Sequence, residues 1–200
     1  MANDELESIS IIMVGDASVG KTTLMKRFIT GTYSNSLNPT VGVELYKKEI
    51  EINDKKYLIR IWDTCGQERF RSLSQSYYRN SDGIMLLFDL NCTESFDNLQ
   101  TWFNSIKENG CEDIPLIVVG TKCDLKCFVK DEDIKKLEED NTLIQKYFKC
   151  SSKDNIGVEE PFIELGKMIV KLGKDQKSNT KVKIQKRNTA QNQKKKNCCI

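Results

Sequence analysis

Apolar runs that alternate with polar stretches predict the strands of this chain. Near-continuous apolar runs are typical of parallel strands buried on both faces, and the chain has three: Ile9–Val14, Ile84–Leu90 and Ile114–Gly120. The segments Glu44–Ile52 and Lys56–Trp62 flank an Asn53-Asp54 turn and predict an antiparallel hairpin. Leu143–Phe148 predicts another short strand.

The stretches between the strands predict helices. Four segments are predicted to be helical: Lys21–Ile29, Thr93–Glu108, Lys130–Asp140 and Val158–Leu172. Thr93 is the predicted N-cap of the second helix, and Pro161 fits the first turn of the last helix, where a missing N–H is tolerated. The predicted buried stripe of the last helix is Phe162, Leu165, Ile169 and Leu172. This alternation indicates an α/β sheet with helices on both faces, whose ligands bind at the carboxyl ends of the strands.

The loop between the first strand and the first helix has the pattern G-x-x-x-x-G-K-[ST]. Its residues are Gly15, Asp16, Ala17, Ser18, Val19, Gly20, Lys21 and Thr22. Between a strand and a helix, the backbone N–H groups of such a loop and the helix dipole form an anion site. We expect Lys21 to reach the outer phosphates of a nucleotide and the Thr22 hydroxyl to ligate Mg²⁺.

Composition excludes several other classes of protein. The chain of 200 residues suggests one domain with an extension, and the absence of histidine excludes a mechanism that needs an imidazole base. The eight cysteines lack the paired spacing of a zinc site. The polar, acidic first residues are not expected to be a secretory signal, and no apolar stretch approaches the ~20 residues of a membrane span. Reduced cysteines in the cytosol are the simplest interpretation.

The formal net charge of +2 hides an asymmetry along the chain. Residues 171–200 contain ten Lys or Arg and one acid, which gives +9, so residues 1–170 carry −7. An acidic body with a basic tail suggests that the tail meets an anionic surface. A solvated extension without such a partner is the alternative.

A second motif, IWDTCGQERF, spans Ile61–Phe70. Asp63 ends an apolar strand, so its carboxylate is expected at the Mg²⁺ site. Gly66 would let its backbone N–H approach a γ-phosphate closely. Gln67 is neutral and suited to orienting a water, and phosphoryl transfer needs such positioning more than a strong base. The pattern D-x-x-G is weak alone but strong beside a P-loop.

A third motif, TKCD at Thr121–Asp124, follows a buried strand and predicts the base selector. The Asp124 carboxylate can accept from both the N1–H and the 2-amino group of guanine, whereas adenine has an acceptor at N1 and no 2-amino group. A site built on such bonds rejects the wrong base by roughly 10⁴-fold. The stem of Lys122 is expected to cover the base ring. Cys150–Lys153, CSSK, would complete the pocket.

At least five motifs in this order resemble the Rab family of Ras-superfamily small GTPases. The resemblance covers about residues 8–172 and the C-terminus, and WDTCGQERF with Tyr77, Tyr78 and Arg79 resembles Rab more than Ras or Rho. It implies a P-loop NTPase with the small G-protein fold, in which about five helices lie on both faces of a mostly parallel sheet of about six strands. It also implies a GTP/GDP switch that hydrolyses GTP and recruits effectors in vesicle-mediated membrane traffic.

The resemblance assigns roles to single residues. Thr40 matches the switch threonine that ligates Mg²⁺ and contacts the γ-phosphate, and Tyr33 matches the aromatic residue that packs on guanine. Gln67 and Lys21 are the expected catalytic residues. The expected Mg²⁺ ligands are Thr22, Thr40 and Asp63. The full expected nucleotide site is Gly15, Asp16, Ala17, Ser18, Val19, Gly20, Lys21, Thr22, Thr23, Tyr33, Thr40, Asp63, Gly66, Thr121, Lys122, Asp124, Ser151, Ser152 and Lys153. The expected effector patch is Val41, Gly42, Val43, Leu45, Trp62 and Tyr77.

The end of the chain, Cys198-Cys199-Ile200, resembles the Rab ending that carries two geranylgeranyl groups. A C-a-a-X signal would need cysteine at the position of Asn197. Two lipids anchor stably where one is marginal, and Lys194–Lys196 would add about 1 kcal/mol each at an anionic leaflet. Two ordinary exposed cysteines are the alternative. The expected organisation is a flexible N-terminus (1–7), a GTPase domain (8–172) and a disordered basic tail (173–200).

Partners and location follow from the resemblance alone. The expected partners are effectors in the GTP state, an exchange factor, a GTPase-activating protein, a GDP-dissociation inhibitor and the prenylation machinery. The chain offers no obvious arginine finger, so the activating protein would supply it. We expect a monomer that binds no nucleic acid and sits on the cytoplasmic face of intracellular or plasma membranes, with a cytosolic pool.

Four positions depart from the family pattern and leave alternatives open. Cys65 replaces an alanine beside Gln67, and Ala17 lies where a side chain can crowd Gln67. Thr121 replaces the asparagine of N-K-x-D, so a weaker tie to the P-loop is expected. Leu45 replaces a phenylalanine of the effector patch, which suggests an altered partner set. A module that holds GTP without turnover and a P-loop kinase or ATPase remain the two alternatives.

Overall fold

A six-stranded sheet forms the centre of the computed structural model, which describes residues 6–34, 39–40, 42–65, 77–78, 80–109, 111 and 113–173. The strands are β1 (Ser8–Val14), β2 (Val43–Ile52), β3 (Lys55–Thr64), β4 (Gly83–Asp89), β5 (Leu116–Thr121) and β6 (Ile144–Lys149). Their order in the sheet is β2-β3-β1-β4-β5-β6. β2 and β3 are antiparallel and every other neighbouring pair is parallel, so the predicted sheet is confirmed.

Helices cover both faces of the sheet. They are α1 (Lys21–Thr30), α2 (Thr93–Asp97), α3 (Leu99–Glu108) and α4 (Asp131–Asp140), with α5 at residues 160–173. Side chains alternate along β1, so Ile11 joins the core cluster under α1 and α5 and Ile12 joins the cluster under α3 and α4. None of the helices in the described part of the chain is long and apolar enough to cross a membrane.

The β2–β3 hairpin forms at the predicted place without a glycine in its turn. Asn53 and Asp54 have φ values of 51° and 60°, in the left-handed region. These values match a type I′ turn, which needs a positive φ at both central positions. Asn and Asp tolerate this conformation better than most residues because their short polar side chains can hydrogen-bond locally.

The predicted helix Thr93–Glu108 is divided at Asn98 into α2 and α3. The prediction of Thr93 as N-cap is wrong, because Cys92 has the extended backbone of the cap (φ −133°, ψ 101°) and Thr93 is the first helical residue. The Ser95 hydroxyl accounts for this start. It donates to the Cys92 carbonyl at 2.8 Å and accepts from the Asp89 N–H at 3.0 Å, which fixes the helix start against the end of β4.

The last helix, α5, begins at residue 160 and carries Pro161 in its first turn, as predicted. Phe162 and Leu165 are fully buried and Ile169 is nearly so. The assignment of Leu172 to the buried stripe is wrong. Its side chain is 38% exposed and lies outside the core cluster, one turn beyond the last helix residues that pack on the sheet.

The carboxyl ends of the parallel strands meet at one edge of the sheet. β1 ends at Val14, directly before the P-loop, and β3 ends at Thr64, directly after Asp63. β5 ends at Thr121, the first residue of TKCD, and β6 ends one residue before Cys150. The sheet topology therefore brings four separate motifs to one place, as expected for ligand sites in such folds.

Candidate nucleotide site

Two glycines shape the P-loop between β1 and α1. Gly15 has a φ of 138°, and a Cβ there would lie 2.2 Å from the Leu87 carbonyl oxygen of β4. Gly20 has a φ of 97° and forms the N-cap of α1 without a side-chain capping bond. The first N–H groups of α1 are therefore available to an anion rather than to a cap. Between the glycines, Ala17 and Ser18 are exposed and Val19 is buried.

The Lys21 side chain lies folded inside the P-loop. It is 5% exposed, and its ammonium group donates to the carbonyl oxygens of Gly15 at 2.8 Å and Asp16 at 2.7 Å. Burial lowers the pKa of Lys21 to about 8, while the carboxylates of Asp63 and Asp16 act in the opposite direction. A buried cation held by neutral carbonyls is well suited to receive the negative charge of a phosphate.

The three predicted Mg²⁺ ligands lie together beside Lys21. The Thr22 hydroxyl donates to Asp63 Oδ2 at 2.6 Å, and the hydroxyl oxygens of Thr22 and Thr40 are 2.6 Å apart. Because the single proton of Thr22 goes to Asp63, Thr40 donates to Thr22. The three side chains come from α1, from the segment before β2 and from β3, which the sequence places up to 41 residues apart.

The chemistry of this oxygen cluster fits Mg²⁺, a hard cation that prefers carboxylate and other oxygen ligands. Asp63 is fully buried, and its Oδ1 has no hydrogen-bond partner among the described residues. Burial raises the pKa of the Asp63 carboxyl, against the hydrogen bond from Thr22 and the charge of Lys21. A cation at this point would satisfy the orphaned oxygen. The described residues contain no group of three His, Cys, Asp or Glu that offers another metal site.

The TKCD motif, the predicted base selector, lines a cavity of about 200 Å³ beside the P-loop. Its walls include Thr23, Tyr33, Asp124, Ser152 and Lys153, all predicted site residues. The Ser151 hydroxyl donates to Asp124 Oδ1 at 2.6 Å, and Lys153 Nζ lies 4.0 Å from Asp124 Oδ2. The hydrogen bond from Ser151 orients the Asp124 carboxylate, and the ammonium group of Lys153 adds a positive charge nearby.

Thr121 and Lys122 attach the TKCD motif to the P-loop. The Thr121 hydroxyl lies 2.6 Å from the Val19 carbonyl oxygen and 3.0 Å from that of Phe88, so its one proton is shared between two acceptors. Lys122 Nζ donates to the Ser18 carbonyl at 2.9 Å and pairs with Asp89 at 2.7 Å. The threonine therefore keeps a direct bond to the P-loop in the place where asparagine is usual.

Sequence reasoning missed three residues that hold the site from outside. Asp89, at the end of β4, pairs with Lys122. Asn98 and Trp102 both donate to the carboxylate of Asp16 in the P-loop. The sequence offers only a faint signal for Asn98 and Trp102, which lie four residues apart on one predicted helix face.

The described residues of the expected effector patch lie on β2 and β3, with Gly42 just before β2 and Tyr77 packed against Trp62 of β3. Leu45 is directly opposite Trp62 in the hairpin register and is 40% exposed. The rings of Trp62 and Tyr77 are 5.1 Å apart at their centroids and tilted by 55°. Val43 opens β2, and the Gly42 carbonyl accepts from the N–H of Cys65 at 3.0 Å.

Several predicted functional residues lie outside the described residues. They are Val41 of the effector patch, Gly66 and Gln67 of the second motif, Arg79, and the cysteines Cys198 and Cys199. Cys65, which precedes Gly66, is described and is buried. The roles of the undescribed residues stay predictions.

Residues 10–171 match the family model described as the Ras family. The chain is 35% identical over 167 residues to GTP-binding protein ypt2 of Schizosaccharomyces pombe, with 82% of each chain covered. It is 37% identical over 173 residues to Ras-related protein Rab-8 of Diplobatis ommata, which covers 85% of this chain and 81% of the relative. It is 35% identical over 162 residues to Ras-related protein Rab-13 of Bos taurus, with 80% and 79% covered.

Proposed function

We propose that the residues described above form a GTP switch. The chain belongs to the Ras family and, within it, to the Rab-like small GTPases, which hydrolyse GTP and act in vesicle traffic. In the GTP state it recruits effectors to a membrane, and hydrolysis to GDP ends the recruitment. An ATPase or P-loop kinase does not fit this family membership.

The observation that carries the proposal is the convergence of Lys21 with Thr22, Thr40 and Asp63. A buried ammonium group and three oxygen ligands lie side by side at the N-terminus of α1. Triphosphate and a divalent cation are the pair of ligands that such neighbours suit. In this assignment Lys21 binds the outer phosphates, and the backbone N–H groups from Gly15 to Thr22 bind the remaining phosphate oxygens.

Mg²⁺ would be held by Thr22, Thr40 and Asp63. When bound, it would neutralise charge on the phosphates and favour their transfer to water. Bound γ-phosphate and Mg²⁺ would add to the 2.6 Å contact between Thr40 and Thr22 and so hold the segment that carries Thr40 more firmly. Loss of that phosphate on hydrolysis would release the segment that carries Thr40, which is how the switch would change state.

Different residues would bind the base and orient the attacking water. Asp124 reads the guanine edge and is oriented by the hydrogen bond from Ser151. Tyr33 and Lys122 cover the base, and Lys153 lies beside the same cavity. Gln67 orients the water, and Lys21 stabilises the charge that develops on the γ-phosphate. A GTPase-activating protein would supply a catalytic arginine to the site.

Effector binding and membrane attachment use other parts of the molecule. The exposed Leu45 and its neighbours Trp62 and Tyr77 form the surface that effectors would contact in the GTP state. Cys198 and Cys199 would each carry a geranylgeranyl group, with the basic residues after 173 meeting anionic lipids. An exchange factor and a GDP-dissociation inhibitor complete the cycle between membrane and cytosol. Residues 8–172 form the GTPase domain in this proposal.

The proposal is tested on the purified full-length chain. We expect bound guanine nucleotide on chromatography of the released ligand, and slow conversion of loaded GTP to GDP in one turnover with Mg²⁺. Gln67→Leu should slow the conversion without loss of GTP binding. Adenine nucleotide, or no nucleotide, would contradict the assignment of Thr121–Asp124, and bound GTP that never converts would point to a non-hydrolysing module.

Membrane attachment is tested separately in cells. The double variant Cys198→Ser with Cys199→Ser should leave the protein in the cytosolic fraction. The matched control is Cys127→Ser, an exposed cysteine of the folded domain, which should fractionate like the wild type. Unchanged membrane association of the double variant would refute the lipid anchor.

A further inference from the structure

The carboxylate of Asp16, the second residue of the P-loop, accepts hydrogen bonds from helix α3 and from its N-cap residue. Trp102 Nε1 donates to Oδ1 at 2.9 Å, and Asn98 Nδ2 donates to Oδ2 at 2.8 Å. The donors are 82 and 86 residues away in the chain. Each oxygen therefore has its own donor, one from α3 and one from the N-cap of the same helix.

The side chain of Asn98 bonds to Asp16 and does not cap its own helix. Asparagine is among the preferred N-cap residues, and Asn98 occupies the N-cap of α3. Its side chain makes no capping bond there, and its backbone is already helical at φ −71° and ψ −12°. The amide reaches across to the P-loop, so the contact with Asp16 accounts for an asparagine at this position better than capping does.

Helix α3 is a rigid support for the two donors. Leu99, Phe103 and Ile106 are fully buried, and Trp102 is 4% exposed. All four belong to the core cluster on that face of the sheet. Donors on a helix that is packed in this way cannot follow a shift of the loop, so they restrain the loop instead.

Asp16 also supports the phosphate-binding lysine. Its main-chain carbonyl accepts from Lys21 Nζ at 2.7 Å, and its negative charge favours the charged form of Lys21. A carboxylate this close to an anion site would repel phosphate if it turned toward the bound nucleotide. Two N–H donors that point at the carboxylate stabilise its charge and keep it turned toward α3.

We propose that the bonds from Asn98 and Trp102 to Asp16 tether the P-loop to α3 and thereby slow the release of bound nucleotide. Asn98 and Trp102 are positioning residues, because they act on the loop through Asp16. The inference rests on the proposed nucleotide site and adds to it a control of exchange from outside that site. Any partner that moves α3 would then speed or slow exchange through the same two bonds.

The test is a double-mutant cycle on release of a fluorescent GDP analogue from the full-length chain. Trp102→Phe keeps the aromatic packing and removes the N–H donor, and we expect release to be about 2- to 30-fold faster. Asn98→Ala should act in the same direction. In the Asp16→Ala background the carboxylate is gone, so Trp102→Phe should change release by less than about 2-fold.

The matched control is Asn104→Ala, which removes an amide on the exposed side of the same helix, where Asn104 accepts from Gln100. This variant should release the analogue at the wild-type rate. The tether is refuted if Trp102→Phe accelerates release equally with and without Asp16, or if it lowers only the melting temperature. If Trp102→Phe does not fold, the same cycle is run with Asn98→Ala. Wild-type protein that retains no guanine nucleotide would refute the proposed function instead.

Discussion

The hydroxyl of Ser151 donates a 2.6 Å hydrogen bond to Oδ1 of Asp124, across 27 residues of sequence. This bond joins the loop after β5 to the loop after β6. Ser151 is fully buried, and the side chain of Asp124 is 8% exposed, so the bond is shielded from water. The carboxylate that is expected to read the base is therefore fixed in orientation by the protein itself.

Asp124→Asn is expected to abolish the preference for guanine. The asparagine amide presents a donor where the carboxylate accepts from guanine, so the 2-oxo group of xanthine becomes the better partner. Competition of GTP, ATP and xanthosine triphosphate for the variant measures the change. Asp140→Asn, at the exposed end of α4, is the matched control and should keep the wild-type order. A variant that still prefers GTP would show that Asp124 is not the base selector.

Thr121→Val is expected to speed GDP release by about 10-fold. Valine keeps the shape of the side chain but leaves the Val19 carbonyl without its 2.6 Å donor, a loss of about 1 to 1.5 kcal/mol. Stopped-flow release of a fluorescent GDP analogue measures the rate. The control is Thr101→Val, the same change on the exposed side of α3. Equal rates for Thr121→Val and the wild type would mean that this bond does not hold the P-loop.

Phe162→Ala is expected to lower the free energy of unfolding by about 3 to 5 kcal/mol. The ring is fully buried and stacks on Phe28 with centroids 4.0 Å apart, so truncation leaves a cavity between α5 and α1. Urea unfolding at a fixed nucleotide concentration measures the loss, since bound ligand also stabilises the fold. Phe128→Ala, whose ring is 52% exposed, should cost far less. Similar losses for both variants would contradict the burial of Phe162.

Cys150 is expected to resist alkylation that modifies Cys127 readily. Burial raises the pKa of the Cys150 thiol to about 12, so almost no thiolate is present at pH 8. Cys127 is exposed. Peptide mass spectrometry after a short treatment with iodoacetamide measures both sites, and denatured protein should label at both. Rapid labelling of Cys150 in the folded protein would be inconsistent with its burial.

Glu164→Gln is expected to lower thermal stability at pH 7 and to matter less in acid. Hydrogen bonds from Lys167 and Lys146 lower the pKa of Glu164 in the folded chain, so the stabilisation is present above the unfolded pKa of about 4.3 and is lost as the pH falls through the folded pKa. The three side chains lie at the surface, and we expect an effect below about 1 kcal/mol.

Melting curves from pH 7 to pH 3 check this ion pair between α5 and β6. The difference between Glu164→Gln and the wild type should narrow as the pH falls, because the wild-type carboxylate becomes protonated. Glu139→Gln, an exposed position on α4, serves as the control. A difference that stays constant over this range would mean that the carboxylate charge is not what stabilises the contact.

The sequence by itself determined the kind and order of the elements. Buried strands such as β4 and the stripe of Phe162 and Leu165 on α5 follow from hydrophobic periodicity, which acts over a few residues. The glycine-rich loop was also predictable, because a strand, a loop with Gly15 and Gly20, and a helix N-terminus are adjacent in the chain. Local chemistry of this kind needs no knowledge of the rest of the fold.

The tertiary structure alone decided which distant residues meet. Asp63 reaches Thr22 because β3 lies beside β1 in the sheet. The side chain of Asn98 bonds to Asp16 instead of capping its own helix because α3 packs next to the P-loop. The misassigned cap at Thr93 has the same origin, since Ser95 bonds back to the end of β4. Such contacts depend on strand order and helix packing, which a periodicity of two or 3.6 residues does not encode.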